Sequence, residues 1–85
     1  MKKENLIYNK ATRKIILYLL NNDYPSIMEI AKKRDITNSQ CNKIILELVK
    51  LNYVIQEQKD GRTSMLRLTK KGLKVASLLS ELRRL

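Results

Sequence analysis

Proline and glycine are scarce in this chain, and their scarcity is the feature that most limits how it can fold. The 85 residues contain one proline, Pro25, and two glycines, Gly61 and Gly72. Because these residue types most often interrupt helices and mark turns, the intervals between the three positions are long enough for complete helices. No internal repeat, low-complexity tract or linker divides the chain. The sequence therefore predicts a single, mainly α-helical domain over residues 1–85.

The composition excludes several classes of protein. The chain has no histidine and one cysteine, so it cannot build a His/Cys zinc site, a disulfide framework or a His-dependent catalytic pair. We therefore expect no enzyme, no metal and no cofactor. Cys41 lies within an apolar pattern, where a free cysteine acts as a small hydrophobic residue and not as a reactive thiol.

The charge balance indicates an anionic partner. The chain carries 18 Lys and Arg residues against 8 Asp and Glu residues, a formal net charge of +10. Nucleic acid and an anionic membrane surface both attract such a chain. The basic residues are spread over several segments and do not line one amphipathic helix, which favours nucleic acid. The longest apolar run, residues 15–20, is too short to cross a membrane, and no signal peptide precedes it, so we expect a cytoplasmic protein.

Two capping boxes define two helices separated by a three-residue turn. Ser26 and Glu29 form an S-x-x-E box, and Thr37 and Gln40 form a T-x-x-Q box. In each box we expect the hydroxyl to accept the amide at the third helical position and the longer side chain to reach back. The first box opens a short helix with a basic C-terminal end, which complements the helix dipole or contacts phosphate. The second opens a helix over residues 38–51.

The helix over residues 38–51 has two different faces. Its core face consists of Cys41, Ile44, Ile45, Leu48 and Leu51. The opposite face presents Asn38, Ser39, Asn42, Lys43, Leu46 and Lys50. Amide and hydroxyl groups at the start of a helix can bond base edges, although such a face can also be merely solvated. We expect Leu46 to pack beneath a neighbouring loop; the alternative is contact with a thymine methyl group.

A β-hairpin follows this helix. Two strand-like runs, residues 53–58 and 63–68, flank an Asp-Gly pair at positions 60 and 61, and Asp-Gly between two such runs is a strong hairpin signal. The tip carries Lys59 and Arg62. These two cations either protect the strand edges from pairing or reach toward an anionic partner.

The first and last helices each present more apolar surface than so small a domain can cover. The first, over about residues 9–21, is apolar on all sides along residues 15–20, and the last, over residues 70–84, has a leucine-rich stripe that continues to the chain end. Both would be covered in a homodimer. The residues that we expect at this interface are Ile15, Leu19, Val75, Leu78, Leu79, Leu82 and Leu85.

The order helix, short helix, turn, helix, hairpin, helix resembles the winged helix-turn-helix transcriptional regulators of the MarR-like and related small archaeal or bacterial kind. Four segments carry the resemblance, and they are residues 26–31, 36–48, 51–55 and 68–73, the last reading Leu-Thr-Lys-Lys-Gly-Leu. One difference is Asn52, where the family more often has glycine. The resemblance implies a mainly α fold with a small β-hairpin, a DNA-binding core over residues 9–68 and a C-terminal dimerisation helix over residues 69–85.

The resemblance also implies a role for individual residues. The helix over residues 38–51 would enter the major groove, and the hairpin would reach the adjacent minor groove. The residues implied to read bases are Asn38, Ser39, Gln40, Asn42 and Lys43. Those implied to hold phosphates are Lys32, Lys33, Arg34, Thr37 and Lys50. Lys59 and Arg62 would reach the minor groove.

These inferences predict a sequence-specific double-stranded DNA-binding regulator that acts as a cytoplasmic, nucleoid-associated homodimer. Two alternatives remain: an architectural DNA-binding protein with little sequence preference, and a winged-helix adaptor between proteins. Larger MarR-like proteins enclose a small-molecule pocket with additional terminal helices. Residues 1–10 and 74–85 are too short for most of that, so we do not expect an effector.

Overall fold

The computed structural model of the chain describes residues 9–59 and 63–84. Four helices and a two-stranded hairpin follow one another in the expected order, which confirms the predicted mainly α fold with one small sheet. The elements are α1 (Lys10–Asn21), α2 (Ile27–Arg34), α3 (Asn38–Lys50), β1 (Val54–Lys59), β2 (Thr63–Leu68) and α4 (Lys70–Arg84).

The helices begin where polar side chains cap them. Ser26 Oγ accepts the Glu29 amide at 3.1 Å, and Thr37 Oγ1 accepts the Gln40 amide at 3.1 Å, so the hydroxyl half of each predicted capping box is confirmed. The expected return contact of Glu29 is wrong. Its carboxylate instead accepts a 2.6 Å hydrogen bond from the Tyr18 hydroxyl of α1, which ties α2 to α1.

One hydrophobic core joins all the elements. Its largest fully buried side chains include Ile15 and Ile16 of α1, Ile45 and Leu48 of α3, and Leu66 of β2. These residues come from three different elements, so removing any one of them would leave a cavity shared among the others.

The expectation that a second subunit covers α1 is wrong. Ile15 is fully buried within this chain, and Leu19 and Leu79 are each only 6% exposed. The hairpin and α4 fold back against α1 and supply the cover that the sequence assigned to a partner. These three residues belong to the core of the protomer and not to a free surface.

The hairpin is antiparallel and is joined to the body of the domain at its base. Val54 pairs with Leu68 and Lys59 pairs with Thr63, which sets the register of the two strands. Val54 and Leu68 are buried together with Leu66. The Leu66 amide also donates to the Pro25 carbonyl at 3.0 Å, so the connection between α1 and α2 bonds to β2 as a short third strand would.

The start of α4 is bonded closely to the connection between α3 and β1. Asn52 has φ 67°, which confirms the predicted left-handed stop after α3. The Thr69 hydroxyl donates to the Asn52 carbonyl at 2.6 Å, and the Thr69 amide donates to the Tyr53 carbonyl at 3.0 Å. A Cβ atom on Gly72 would lie 2.0 Å from the same Tyr53 carbonyl oxygen. The Thr-x-x-Gly motif is therefore explained by this close packing.

Candidate nucleic-acid interface

Helix α3 is held against the domain by one face. Cys41, Ile45 and Leu48 are completely buried and Ile44 is nearly so. The Cys41 sulfur lies 3.7 Å from the Ile27 carbonyl oxygen, and burial raises the pKa of the thiol. Because the thiolate is the reactive form, Cys41 is an inert core residue, as expected from the sequence.

The opposite face of α3 is exposed and polar. At 100° per residue, Ser39, Asn42, Lys43, Leu46 and Lys50 share one direction away from the core, and Asn38 and Gln40 lie on either flank. All the residues predicted to read bases are solvent-exposed, and they are Asn38, Ser39, Gln40, Asn42 and Lys43. The structure thus places Ser39, Asn42 and Lys43 on one accessible face, with Asn38 and Gln40 at its two edges.

Leu46 lies within this polar face and is half exposed. The expectation that it packs beneath a neighbouring loop is therefore wrong for the part of the chain that the structure describes. Its side chain is directed outward because the core side of α3 is already filled by the four residues of the buried face.

A shallow depression of about 400 Å³ separates the first turns of α2 and α3. Its lining residues are Ile27, Met28, Asn38, Ser39 and Asn42. Met28 is 70% exposed. Met28 is not among the residues that the sequence predicts at the interface; the available signal was its position two residues after the cap of the short helix, one turn before Lys32.

The three basic residues at the end of α2 lie on different sides of the helix and have different neighbours. Lys32 and Lys33 are exposed, and Lys32 follows Met28 by one helical turn, on the flank nearer α3. Lys33 instead follows Glu29, on the other side. The Arg34 guanidinium lies 5.5 Å from the centre of the Tyr18 ring, so α1 positions its charge. Of the three, the geometry brings Lys32 to the same side of α2 as the depression.

Two further residues predicted to bind phosphate are accessible. Thr37 caps α3 through its oxygen and can still donate its hydroxyl proton to an anion. Lys50 has a largely exposed side chain, and its ammonium lies 3.8 Å from a Glu47 carboxylate oxygen. An exposed pair at this distance contributes little, about 0–1 kcal/mol, so Lys50 remains available to a polyanion.

The remaining residues predicted to bind DNA or a second subunit belong to the β1–β2 hairpin, called the wing, and to the C-terminal helix α4. The backbone of Lys59 ends β1, while its side chain and the whole of Arg62 lie outside the described residues, as does Leu85. On α4, Leu78 is 54% exposed and Leu82 63% exposed, whereas Val75 is half-buried. The outer side of α4 therefore exposes two leucines along its second half, beside the exposed Ser77 and Glu81.

Other kinds of site find no support in the described ranges, 9–59 and 63–84. They contain no cluster of acidic, cysteine or histidine side chains suited to a metal ion. Nor does any helix there combine the length and the apolar character that a membrane crossing requires.

Sequence and structure comparisons identify similar proteins. A family profile described as winged helix-turn-helix DNA-binding matches residues 8–55, more than half of the chain. A search of curated protein sequences gave no match.

Solved structures share the fold at low sequence identity. ZitR of Lactococcus lactis superposes with a TM-score of 0.84 at 22% identity and over 95% of this chain. SlyA gives a TM-score of 0.85 at 12% identity and 95% coverage. FabT of Streptococcus pneumoniae, solved in complex with DNA, gives 0.79 at 19% identity and 85% coverage. The chain spans 61%, 58% and 52% of the length of these three proteins, respectively.

Proposed function

Since the chain belongs to the winged helix-turn-helix DNA-binding family, we propose that it is a sequence-specific double-stranded DNA-binding transcriptional regulator that acts as a homodimer. The family binds DNA and is not a family of enzymes, which agrees with the expectation from composition. The fold is that of MarR-type regulators, as the order of elements in the sequence indicated.

The observation that carries the proposal is the exposed face of α3. It combines amide, hydroxyl and ammonium groups on a helix whose other face is fixed in the core. An α-helix fits the major groove, where amides bond adenine and ammonium groups bond guanine or phosphate. A protein that bound phosphates alone would have little use for Asn38, Ser39 and Asn42 at the helix start.

The remaining contacts follow from the same docking. With α3 in the major groove, Lys32, Lys33, Arg34, Thr37 and Lys50 hold phosphates of the flanking backbone. The wing, with Lys59 and Arg62, reaches the adjacent minor groove, where narrow A·T tracts attract arginine. The net charge of +10 favours such a polyanionic partner and a nucleoid-associated location in the cytoplasm.

The exposed part of α4 supports the dimer. Leu78 and Leu82 are apolar, accessible and one helical turn apart, so a second copy can bury them. The two copies of α3 in such a dimer would contact half-sites about 34 Å apart on a pseudo-palindromic sequence.

The test is to select DNA sites in vitro and to measure affinity by fluorescence anisotropy for a selected site and a scrambled site. Asn42→Ala should weaken binding to the selected site by about 5- to 150-fold for each half-site, the worth of one bidentate base contact, and leave the scrambled site nearly unchanged. The matched control Lys50→Ala should weaken both sites alike and reduce the salt slope by about one for each subunit bound.

Each alternative function has its own signature in these measurements. Selection without a preferred sequence, or equal losses on both sites for Asn42→Ala, would indicate an architectural DNA-binding protein. No binding to any DNA at low salt would contradict the proposal and leave the protein–protein adaptor. An affinity that barely changes between low and moderate salt would also contradict it, because released counterions supply much of the affinity for DNA.

A further inference from the structure

Two large apolar side chains interrupt the polar interface. Met28 is 70% exposed and Leu46 is 50% exposed. Single exposed apolar residues are common on protein surfaces and need no explanation. These two, however, lie on either side of one residue, Asn42: Leu46 is on the face of α3 proposed to enter the major groove, and Met28 is on α2 beside it.

The positions of the two side chains are set by different elements. Met28 lines the depression between α2 and α3 together with Asn42. Leu46 lies one turn beyond Asn42 on the same side of α3, about 6 Å along the helix axis. That distance is less than two base-pair steps of about 3.4 Å, so all three side chains can reach neighbouring base pairs.

The polar groups beside them favour adenine. Helix α3 contains three amides, Asn38, Gln40 and Asn42, and no arginine. Arginine and lysine make the commonest specific contact to guanine, whereas asparagine and glutamine bond the N6 and N7 atoms of adenine in a bidentate manner. Among the residues of α3 proposed to read bases, one cation, Lys43, stands against these three amides. The 5-methyl group of thymine, the partner of adenine, is the apolar group that the major groove offers.

We infer that Met28 and Leu46 contact thymine 5-methyl groups flanking the base pair that Asn42 reads, and that the preferred sites are therefore A·T-rich at these positions. The inference rests on the proposed function and adds the class of base recognised. Each methyl group would enter an apolar environment in place of water and would exclude water from the amide contact of Asn42.

The experiment replaces single thymines by uracil in a selected site, which removes one methyl group and leaves base pairing intact. For the unaltered protein, uracil at two positions of each half-site should weaken binding by about fourfold per substitution, the worth of one buried methyl-sized group. Uracil at other positions should have no effect.

Two variants show which of the two side chains contacts which thymine. Met28→Ala should abolish the uracil penalty at one position and Leu46→Ala at the other, while each variant binds the thymine site about fourfold or more weakly. Both side chains are exposed, so the fold should be retained, which circular dichroism checks. The matched control is Leu73→Ala, an exposed leucine on α4, which should keep both penalties.

The outcomes separate this inference from the proposed function. Specific binding without any uracil penalty, or with penalties that persist in both variants, overturns the inference and leaves the proposed function intact. Selected sites rich in G·C opposite Asn42 overturn it as well. Failure to bind any DNA overturns the proposed function and the inference together.

Discussion

The helix-turn-helix unit, α2 and α3, and the C-terminal helix α4 are attached to the same core and differ in how they are attached and in how many leucines they expose. Helix α3 buries four sizeable side chains and exposes amides and lysines. Helix α4 buries little more than Gly72, Ala76 and Leu79, and it exposes three leucines, Leu73, Leu78 and Leu82, among lysine, serine and glutamate side chains. One helix is thus fixed by large side chains and exposes mainly polar groups, while the other is fixed by close backbone packing and exposes several large apolar side chains.

The difference indicates which kind of partner each surface suits. An exposed amide and ammonium surface gains little from contact with another apolar surface, but it can replace water with base edges and phosphates. An exposed leucine surface gains about 1.5–3 kcal/mol for each side chain that a partner buries fully. We therefore expect DNA to be the partner of α3 and a protein surface to be the partner of α4.

The largest effect is expected on the buried face of α3. Leu48→Ala should lower the free energy of unfolding by about 3 kcal/mol, because it removes a fully buried side chain and leaves a cavity in the hydrophobic core. Urea denaturation followed by circular dichroism measures this loss.

Leu46→Ala is the control on the opposite face of the same helix, and it should change stability by no more than about 0.5 kcal/mol. Equal losses for the two leucines would mean that α3 does not expose the face described here.

The next effect concerns the attachment of α4. An alanine in a helix is normally more stable than a glycine by about 1 kcal/mol. Gly72→Ala should instead destabilise the domain by about 2 kcal/mol, because the new Cβ would meet the Tyr53 carbonyl oxygen at 2.0 Å and force the backbone apart. Thermal and urea unfolding measure whether the substitution lowers or raises the free energy of unfolding.

Ser77→Ala, at an exposed position of α4, provides the comparison and should leave stability within about 0.5 kcal/mol. A stabilising Gly72→Ala would show that the start of α4 stands farther from the α3–β1 connection.

Capping and periodicity were sufficient to predict the secondary structure. Ser26, Thr37, Asn52 and Thr69 act locally through their own backbone neighbours, so their effects can be read in the sequence. All six predicted elements are present, with bounds that differ by a residue at most places. The same local reasoning located the exposed polar face of α3.

Long-range contacts could not be predicted in this way. Glu29 bonds Tyr18, eleven residues away, in place of its own cap, and the Pro25 carbonyl pairs with Leu66. Nothing in the local sequence shows which of two apolar faces is covered within the chain. That is why Ile15, Leu19 and Leu79 were assigned to a dimer interface although they are buried in the core.

The outward face of α4 offers the third prediction. Leu78→Ala should raise the dissociation constant of the proposed homodimer by about tenfold, about 1.4 kcal/mol, because a leucine that is exposed in the protomer would be buried between two copies. Sedimentation velocity over a concentration series measures the constant.

Ser77→Ala, the neighbouring exposed residue, should leave the dissociation constant unchanged. If the chain stays monomeric at all concentrations, or if both variants behave like the unaltered protein, α4 does not pair with a second copy through this face.

The smallest effect is expected at the bond that fixes α2 to α1. Tyr18→Phe removes the 2.6 Å hydrogen bond to Glu29 and should cost about 1 kcal/mol at neutral pH, since the exposed carboxylate is rehydrated. The ring and its contact with Arg34 are kept. Tyr24→Phe, at an exposed tyrosine, is the control and should have no measurable effect on unfolding.

The pH dependence distinguishes this bond from simple packing. The hydrogen bond to Glu29, together with burial and the nearby carboxylate charge, raises the pKa of Tyr18 above its ordinary value of 10. A raised pKa means that the folded state holds the phenolic proton more tightly than the unfolded state does. The stabilisation is therefore complete below about pH 10 and is lost as the pH rises through the folded-state pKa. The stability difference between Tyr18→Phe and the unaltered protein should shrink over that window, whereas a difference that stays constant with pH would show that the phenolic proton, and hence the hydrogen bond to Glu29, is not its cause.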